Sequence, residues 1–354
     1  MTIEALGYSK EIENYRKKSE FAEFKIGRGI AEHKERYIVS TGINEYEAEI
    51  LGNLRYTAKD SSDFPAVGDW VAVSEFDAKL LIHSIFPRKS ILERQSVSKK
   101  GEKQIIATNV DFVFIVQAVD RDFSINRIER YLTICNSSKI QSIIILNKID
   151  LIDQTELSEK INSIKVRLKE IPVNTLSNVT QEGIDLLRSS IEKGKTYCLL
   201  GSSGVGKSSI LNTLCGQYLM KTDSISEHSD RGRHVTTHRE LRVLDNGGII
   251  IDNPGMREVG IADSSGGLEM TFGQIDEIGK NCKFKDCTHQ SETGCAVLEA
   301  LENGELDHSS YENYLKMERE KEHYASTVAE KRRKGKGLSK IIKHMKKTNN
   351  SNKY

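Results

Sequence analysis

The chain has 354 residues, and its 52 Lys and Arg against 51 Asp and Glu leave a formal net charge of +1. That length calls for two or three domains, and so even a balance excludes reading a polyanionic partner from global charge, which leaves local clusters to carry any such signal. The start has no basic segment followed by an apolar core, and no apolar run approaches a membrane span. The expectation is therefore a soluble cytoplasmic protein without a membrane partner, its six cysteines reduced or metal-bound rather than bridged.

From about Phe24 to Arg94 the pattern predicts short alternating strands: Tyr37-Ile38-Val39-Ser40, Tyr46 to Leu51, Asp69 to Val73 and Leu80 to Ile85, separated by glycine and charged turns. That count and spacing fit a small closed β-barrel, of the oligonucleotide-binding type or another. Arg28, Lys34, Arg36 and Arg55, with the aromatics Tyr37 and Tyr56, are the side chains such a barrel would offer to RNA backbone and bases.

Further on, Ser142-Ile143-Ile144-Ile145-Leu146 reads as a buried strand that delivers Asn147-Lys148-Ile149-Asp150 at its carboxyl end, where ligands of open α/β sheets bind. An aspartate there can accept from guanine N1–H and the 2-amino group, which adenine does not offer. A second strand, Thr196 to Leu200, enters Gly201-Ser202-Ser203-Gly204-Val205-Gly206-Lys207-Ser208, and Ser209 onward begins a helix. In this phosphate loop inward backbone N–H groups surround the β-phosphate, Lys207 serves the phosphates and Ser208 serves Mg²⁺, with the helix N-terminus adding its dipole. The base-reading loop precedes the phosphate loop, the reverse of the ordinary GTPase order.

Asp252-Asn253-Pro254-Gly255 follows the strand Gly248 to Ile251; the aspartate would hold Mg²⁺ through water and the Gly255 N–H would sense the γ-phosphate. Between the two motifs, Ser229 to Thr237 has the polarity of a switch segment, in which Thr237, or else Thr236, would reach Mg²⁺. Cys282, Cys287, His289 and Cys295 lie within fourteen residues and can close a tetrahedron around one structural Zn²⁺, whereas Cys135, Cys198 and Cys215 sit in apolar segments as plain core thiols. Helical spacings follow at Val297 to Leu301 and Tyr311 to Leu315. Lys331 to Tyr354 holds many Lys and Arg and no Asp or Glu, a tail that can follow a phosphate backbone.

Base loop, phosphate loop, switch threonines and D-x-P-G, in that order, make the sequence resemble the circularly permuted GTPases and, more narrowly, the RsgA/YjeQ family, over about residues 25 to 325. Asn109-Val110-Asp111 and Ile128-Glu129-Arg130-Tyr131-Leu132 add to the match. The resemblance implies a multidomain chain: an N-terminal segment and OB-fold RNA-binding domain over 1–95, a permuted α/β P-loop GTPase domain over 96–274, and a mainly helical zinc-binding domain with a basic tail over 275–354. It implies hydrolysis of GTP to GDP, late assembly of the small ribosomal subunit with its rRNA as partner, and a monomer. The chain departs from the family pattern at Val235-Thr236-Thr237, where three threonines are usual. The loop that often reads Ser-Ala near the base is expected at Asn174-Thr175.

Met256 stands where many GTPases place a water-orienting glutamine, so unassisted turnover should be slow, on the order of 10⁻³ s⁻¹. His234 is the candidate for positioning water, with Thr236, Thr237 and Lys207 completing the catalytic set. The permutation sends the D-x-P-G loop by way of Gly260 to Gly273 into the zinc domain, a route by which nucleotide state could set that domain's angle. Alternatives are a GTP-gated RNA-binding switch without turnover and a zinc-handling GTPase; four ligands suit retention of a metal better than its delivery.

Overall fold

The computed structural model describes residues 2–33, 36–58, 60–95, 102–216, 239–253, 266–327 and 330. Helix α1 (Lys10–Lys18) begins at Ser9, whose hydroxyl caps the Ile12 N–H, and its arginine and lysines crowd the last turn, opposite the helix dipole. Beside it, Tyr8 meets Trp70 edge-on with ring centroids 5.2 Å apart.

Five strands then form a barrel: β1 (Lys25–His33), β2 (Arg36–Ser40), β3 (Glu45–Ile50), β4 (Trp70–Phe76) and β5 (Lys79–Ile85), with a short helix α2 (Gly52–Thr57) after β3. Pairing runs β1-β2-β3-β5-β4 and returns from β4 to β1, with only β3–β5 parallel. Alternation along these strands turns Tyr37, Val39, Ala48, Val71, Val73, Leu80 and Ile82 inward as the barrel core.

Of the residues weighed as RNA contacts, two lie inside. Tyr37 is a core aromatic. Arg28 is 1% exposed, and its guanidinium donates to the Gly68 carbonyl at 3.1 Å, the Leu6 carbonyl at 2.5 Å, the Asn109 carbonyl at 3.4 Å and the Thr196 hydroxyl at 3.0 Å. It also lies over the Trp70 ring, 5.3 Å from the centroid. Burial lowers its pKa to about 10. A guanidinium has five donors, so it can tie the N-terminal segment, the barrel and the next domain to one point and leave no costly unpaired group. Arg36, Arg55 and Tyr56 are exposed, as expected, and Lys34 lies outside the described residues.

A hairpin of β6 (Ile91–Gln95) and β7 (Lys103–Thr108) leads into the second sheet. That sheet contains β8 (Phe112–Ala118), β9 (Gln141–Asn147), β10 (Val173–Leu176), β11 (Thr196–Leu200), β12 (Glu240–Val243) and β13 (Ile249–Asp252), in the order β10-β9-β8-β11-β13-β12. All neighbours are parallel except β12, which runs antiparallel and joins the barrel through Ala31 opposite Glu240. Its central strands read as continuous apolar runs because helices cover both faces. On one face α3 (Ile125–Ser137) and α4 (Gln154–Arg167) supply Ile128, Leu132, Leu157 and Ile164. On the other, α5 (Ile184–Ser190) and α6 (Lys207–Cys215) supply Ile184, Leu187, Ile210 and Leu211. Cys135 and Cys198 are buried free thiols and Cys215 is half-buried, as expected of core cysteines.

The C-terminal module consists of α7 (Gly267–Thr271), α8 (Gly273–Gly279), α9 (Ala296–Glu302) and α10 (308–327). Leu268, Phe272, Ile275, Val297, Leu306 and Met317 form its core. It docks on α3. Gly267 permits the approach, since a Cβ there would stand 2.1 Å from the Ser137 hydroxyl and 2.4 Å from the Thr133 carbonyl. Glu129, buried on α3, accepts from Arg167 at 2.9 and 2.6 Å, from the Asn313 amide at 2.6 Å and from the Ser310 hydroxyl at 3.3 Å. The next residue, Arg130, grips Glu320 with two bonds of 2.6 and 2.7 Å.

Candidate nucleotide and metal sites

The carboxyl ends of β9, β11 and β13 deliver Asn147, Gly201 and Asp252 to one edge of the sheet, the position that ligands of such sheets occupy. Two motifs fifty residues apart in the chain are wedged together there. The buried Asn147 donates its amide to the Val205 carbonyl at 2.8 Å and accepts from Asn178 at 3.1 Å. Gly206, at φ 96°, lies so close that a Cβ would stand 2.1 Å from the Asn147 amide nitrogen. Any side chain at that position would drive the two loops apart.

Lys148 adopts a left-handed conformation with φ 66° and donates to Asp120 at 2.9 Å. Partial burial would raise the Asp120 carboxyl, but the Lys148 ammonium and the Asp122 amide outweigh it and hold the pKa below the usual range. Ile149 is buried beneath the loop, and the exposed Asp150 accepts a short bond from the Ser177 hydroxyl. That hydroxyl in turn accepts from the Val179 and Thr180 amides, each at 3.1 Å, which leaves its proton directed at Asp150.

Asn174 and Thr175, expected in a loop, lie within a strand, and the loop begins at Ser177-Asn178. The β10 ladder runs until Leu176 stands opposite Asn147, so the chain leaves the strand only after that pair. The fact that Ser177 and Asn178 are the first polar residues after the strand was the available signal.

In the phosphate loop, Lys207 is 6% exposed and its ammonium donates to the Gly201 and Ser202 carbonyls at 2.8 and 2.6 Å. Burial lowers its pKa to about 8, partly countered by the Asp252 charge. Asp252 is 2% exposed, and burial pushes its carboxyl up to about 6 against the nearby Lys207 and Arg242 charges. Its Oδ2 atom is buried and has no hydrogen-bond partner among the described residues. A buried carboxylate oxygen in that state costs free energy until a cation or donor reaches it, and oxygen ligands suit a hard divalent ion. Ser202 is buried, while Ser203, Ser208 and Ser209 are half-buried and Gly204 is exposed at the rim. His234, Thr236, Thr237, Gly255 and Met256 lie outside the described residues, as does the basic tail from Lys331.

The ligand atoms of Cys282, Cys287, His289 and Cys295 all lie within 4.8 Å of one another. The Cys282 and Cys295 sulfurs are each 3.5 Å from His289 Nδ1 and 3.9 Å from each other. A tetrahedron with metal–sulfur bonds of about 2.3 Å and a metal–nitrogen bond of about 2.0 Å has edges of about 3.5 to 3.8 Å, so the cluster has the right size for a zinc-like ion. His289 takes a left-handed backbone at φ 60°, and its carbonyl accepts from the Tyr311 hydroxyl at 2.6 Å, which ties the cluster to α10.

The family model described as RsgA GTPase matches residues 85–262. A second model, ABC transporter, matches residues 184–349, a stretch that includes the phosphate loop common to many nucleotide-binding families. Among curated proteins, the chain is 40% identical to a small ribosomal subunit biogenesis GTPase, RsgA 1, of Bacteroides thetaiotaomicron, with 96% of each covered. It is 41% identical to the RsgA 2 protein of Listeria monocytogenes, over 92% of this chain and 91% of that one. Among solved structures, YjeQ from Thermotoga maritima matches with a TM-score of 0.60 at 28% identity, covering 84% of this chain and 98% of that one. YloQ, described as a circularly permuted GTPase, shares the fold with a TM-score of 0.58 at 24% identity, over 85% of this chain and 96% of that one.

Proposed function

Because the chain belongs to the RsgA GTPase family, we propose that it hydrolyses GTP in a pocket shared by its base and phosphate loops and uses that cycle in maturation of the small ribosomal subunit. The observation that carries the pocket is the packing of Asn147 against Val205 and Gly206, which makes one cleft of two loops in permuted order. Asp150 reads guanine, steadied by Ser177, while Asn147, Lys148 and Ile149 shape the base site. The residues Gly201 to Ser209 hold the phosphates. Mg²⁺ would be held by Ser208 and Asp252, whose orphaned oxygen fits that use, with Thr237 completing the set; bound there it would neutralise phosphate charge. His234 aims water, and Gly255 senses the γ-phosphate.

Cys282, Cys287, His289 and Cys295 hold one structural Zn²⁺ with no position left open, so the metal stabilises the C-terminal module and takes no part in hydrolysis. The modules divide as 1–95, 96–274 and a C-terminal unit expected from 275; the apolar cluster that joins Leu268 and Phe272 to Val297 and Met317 moves the start of that last unit to about 267, where α7 begins. The barrel face with Arg36, Arg55 and Tyr56, together with the basic tail, meets rRNA in a monomeric, cytoplasmic factor. None of the helices among the described residues is long and apolar enough to cross a membrane.

The test is GTP turnover with and without purified small subunits, with large subunits as control and ATP as competitor. Stimulation by small subunits alone, with ATP failing to compete, is expected. Equal competition by ATP, or equal stimulation by both subunits, would overturn the proposal.

A further inference from the structure

The phosphate loop is gripped from two directions. Its later residues, Val205 and Gly206, are fixed against Asn147 on the base side. At its early end two cations converge on Ser202. One is Lys207, which donates to the Gly201 and Ser202 carbonyls. The other is Arg127, in the first turn of α3, whose Nη1 donates to the Ser202 hydroxyl at 3.2 Å and to the Asp122 carbonyl at 3.3 Å. All these acceptors are neutral. Among the described residues neither cation forms an ion pair, although the Asp252 charge acts on Lys207 from beyond that distance. Asp252 offsets Lys207 in part, but Arg127 rests on neutral oxygens alone, which leaves this end of a loop shaped for a polyanion with excess positive charge. Lysine in such a loop serves the terminal phosphates, and a guanidinium offers a planar fork that matches phosphate oxygens. Ser202 is also at the end of the loop away from the base contacts, so a charge there faces the phosphate farthest from the base.

We propose that Arg127 is a second phosphate-binding cation, supplied by α3 of the same chain, which exchanges the Ser202 hydroxyl for the terminal phosphate of GTP and so separates GTP from GDP. The inference rests on the reading that a guanine nucleotide fills this loop. Once the γ-phosphate is present, Arg127 gains an ionic partner that GDP does not offer, while Ser202 loses only a resting contact.

The experiment titrates the full chain, Arg127→Gln, Arg127→Lys and Ser202→Ala with GDP and with a non-hydrolysable GTP analogue in one Mg²⁺ buffer. Arg127→Gln should weaken the analogue about tenfold or more and leave GDP within about twofold, and Arg127→Lys should recover part of the loss, because one charge-assisted bond is at stake. Retained GDP binding shows that each variant keeps a folded pocket. Equal losses for both nucleotides would make Arg127 a strut of the loop and overturn the proposal, as would undiminished analogue binding in Arg127→Gln. A loss in Ser202→Ala that matched Arg127→Gln and was confined to the analogue would assign the effect to the hydroxyl and overturn it as well. If the unaltered chain took neither nucleotide, the nucleotide reading itself would fail, a result distinct from the others.

Discussion

Replacing Asp150 by Asn tests the base site most directly. The carboxylate has one oxygen held by the Ser177 hydroxyl, which is itself oriented by two backbone amides at 3.1 Å. Guanine would bring two donors, N1–H and the 2-amino group, to this acceptor. A hydrogen bond to a charged group contributes about 1.5 to 3 kcal/mol, so two give about 3 to 6 kcal/mol; Asp150 is exposed and water competes for it, which selects the lower end. The expected result is GTP weakened about a hundredfold. An amide has one acceptor and one donor face, so it loses one bond and opposes the 2-amino group. Xanthine has a carbonyl at that carbon and matches the amide, so Asp150→Asn should bind xanthosine triphosphate more tightly than the parent chain does. Titration with GTP, ATP and xanthosine triphosphate reads all three effects. Parallel loss of GTP and ATP, or no gain for the xanthine nucleotide, would refute the assignment of Asp150 to the base. Ser177→Ala, which removes only the group that steadies the carboxylate, should cost GTP about 1 kcal/mol and ATP nothing.

Glu129→Ala would leave Arg167 with only the Asn126 oxygen at 2.7 Å and the half-exposed Asp307 at 3.6 Å and should cost about 3 kcal/mol, read as faster hydrogen exchange across 308–327; Glu129→Leu combined with Arg167→Met should cost less than the single change, and unchanged exchange in Glu129→Ala would contradict the docking described. Lys207 has its pKa lowered to about 8 in the empty site, and phosphate would raise it again, so nucleotide binding should take up a proton near pH 8 and weaken as pH rises through that value. Asp252 has its pKa raised to about 6, and a cation would lower it, so Mg²⁺ binding should release a proton and weaken as pH falls through 6. Calorimetry in buffers of different ionisation enthalpy measures both, and proton transfers of the opposite sign would contradict them. Chelation of metal from the cysteine cluster should abolish the helical signal of α8 to α10, because ligand burial and folding are coupled there, while GDP affinity remains; an unchanged circular dichroism spectrum would argue that the metal is dispensable.

The strand–loop–helix at Gly201 to Ser208, the strand end at Asn147 and the cysteine–histidine cluster were legible because each is written within a short stretch of chain, and the strands that deliver the first two are short apolar runs. The misplacements have one cause in common. Arg28 and Tyr37 lie in alternating strands where a basic or aromatic residue looks outward, and nothing local says that the oxygens satisfying Arg28 come from residues 6, 68, 109 and 196. Ser177 was missed by two or three residues because the end of β10 is set by its ladder with β9, not by its own composition. Glu129 was noticed as part of a family string, and its role as the anchor of the C-terminal module depends on Arg167, Ser310 and Asn313.

By itself the sequence determined which residue types stand at which spacing: the glycine-rich loop ending in Lys207-Ser208, the Asn147-Lys148-Ile149-Asp150 segment and the cluster of three cysteines and a histidine, each a short-range property. Only the tertiary structure decided that Asn147 locks one loop onto the other, that Asp252 has an oxygen unpartnered among the described residues, and that Arg127 and Lys207 meet at one serine. Those facts depend on hydrogen bonds and burial between segments far apart in the chain, and the partners of such bonds exist only once the sheet has brought its strand ends together.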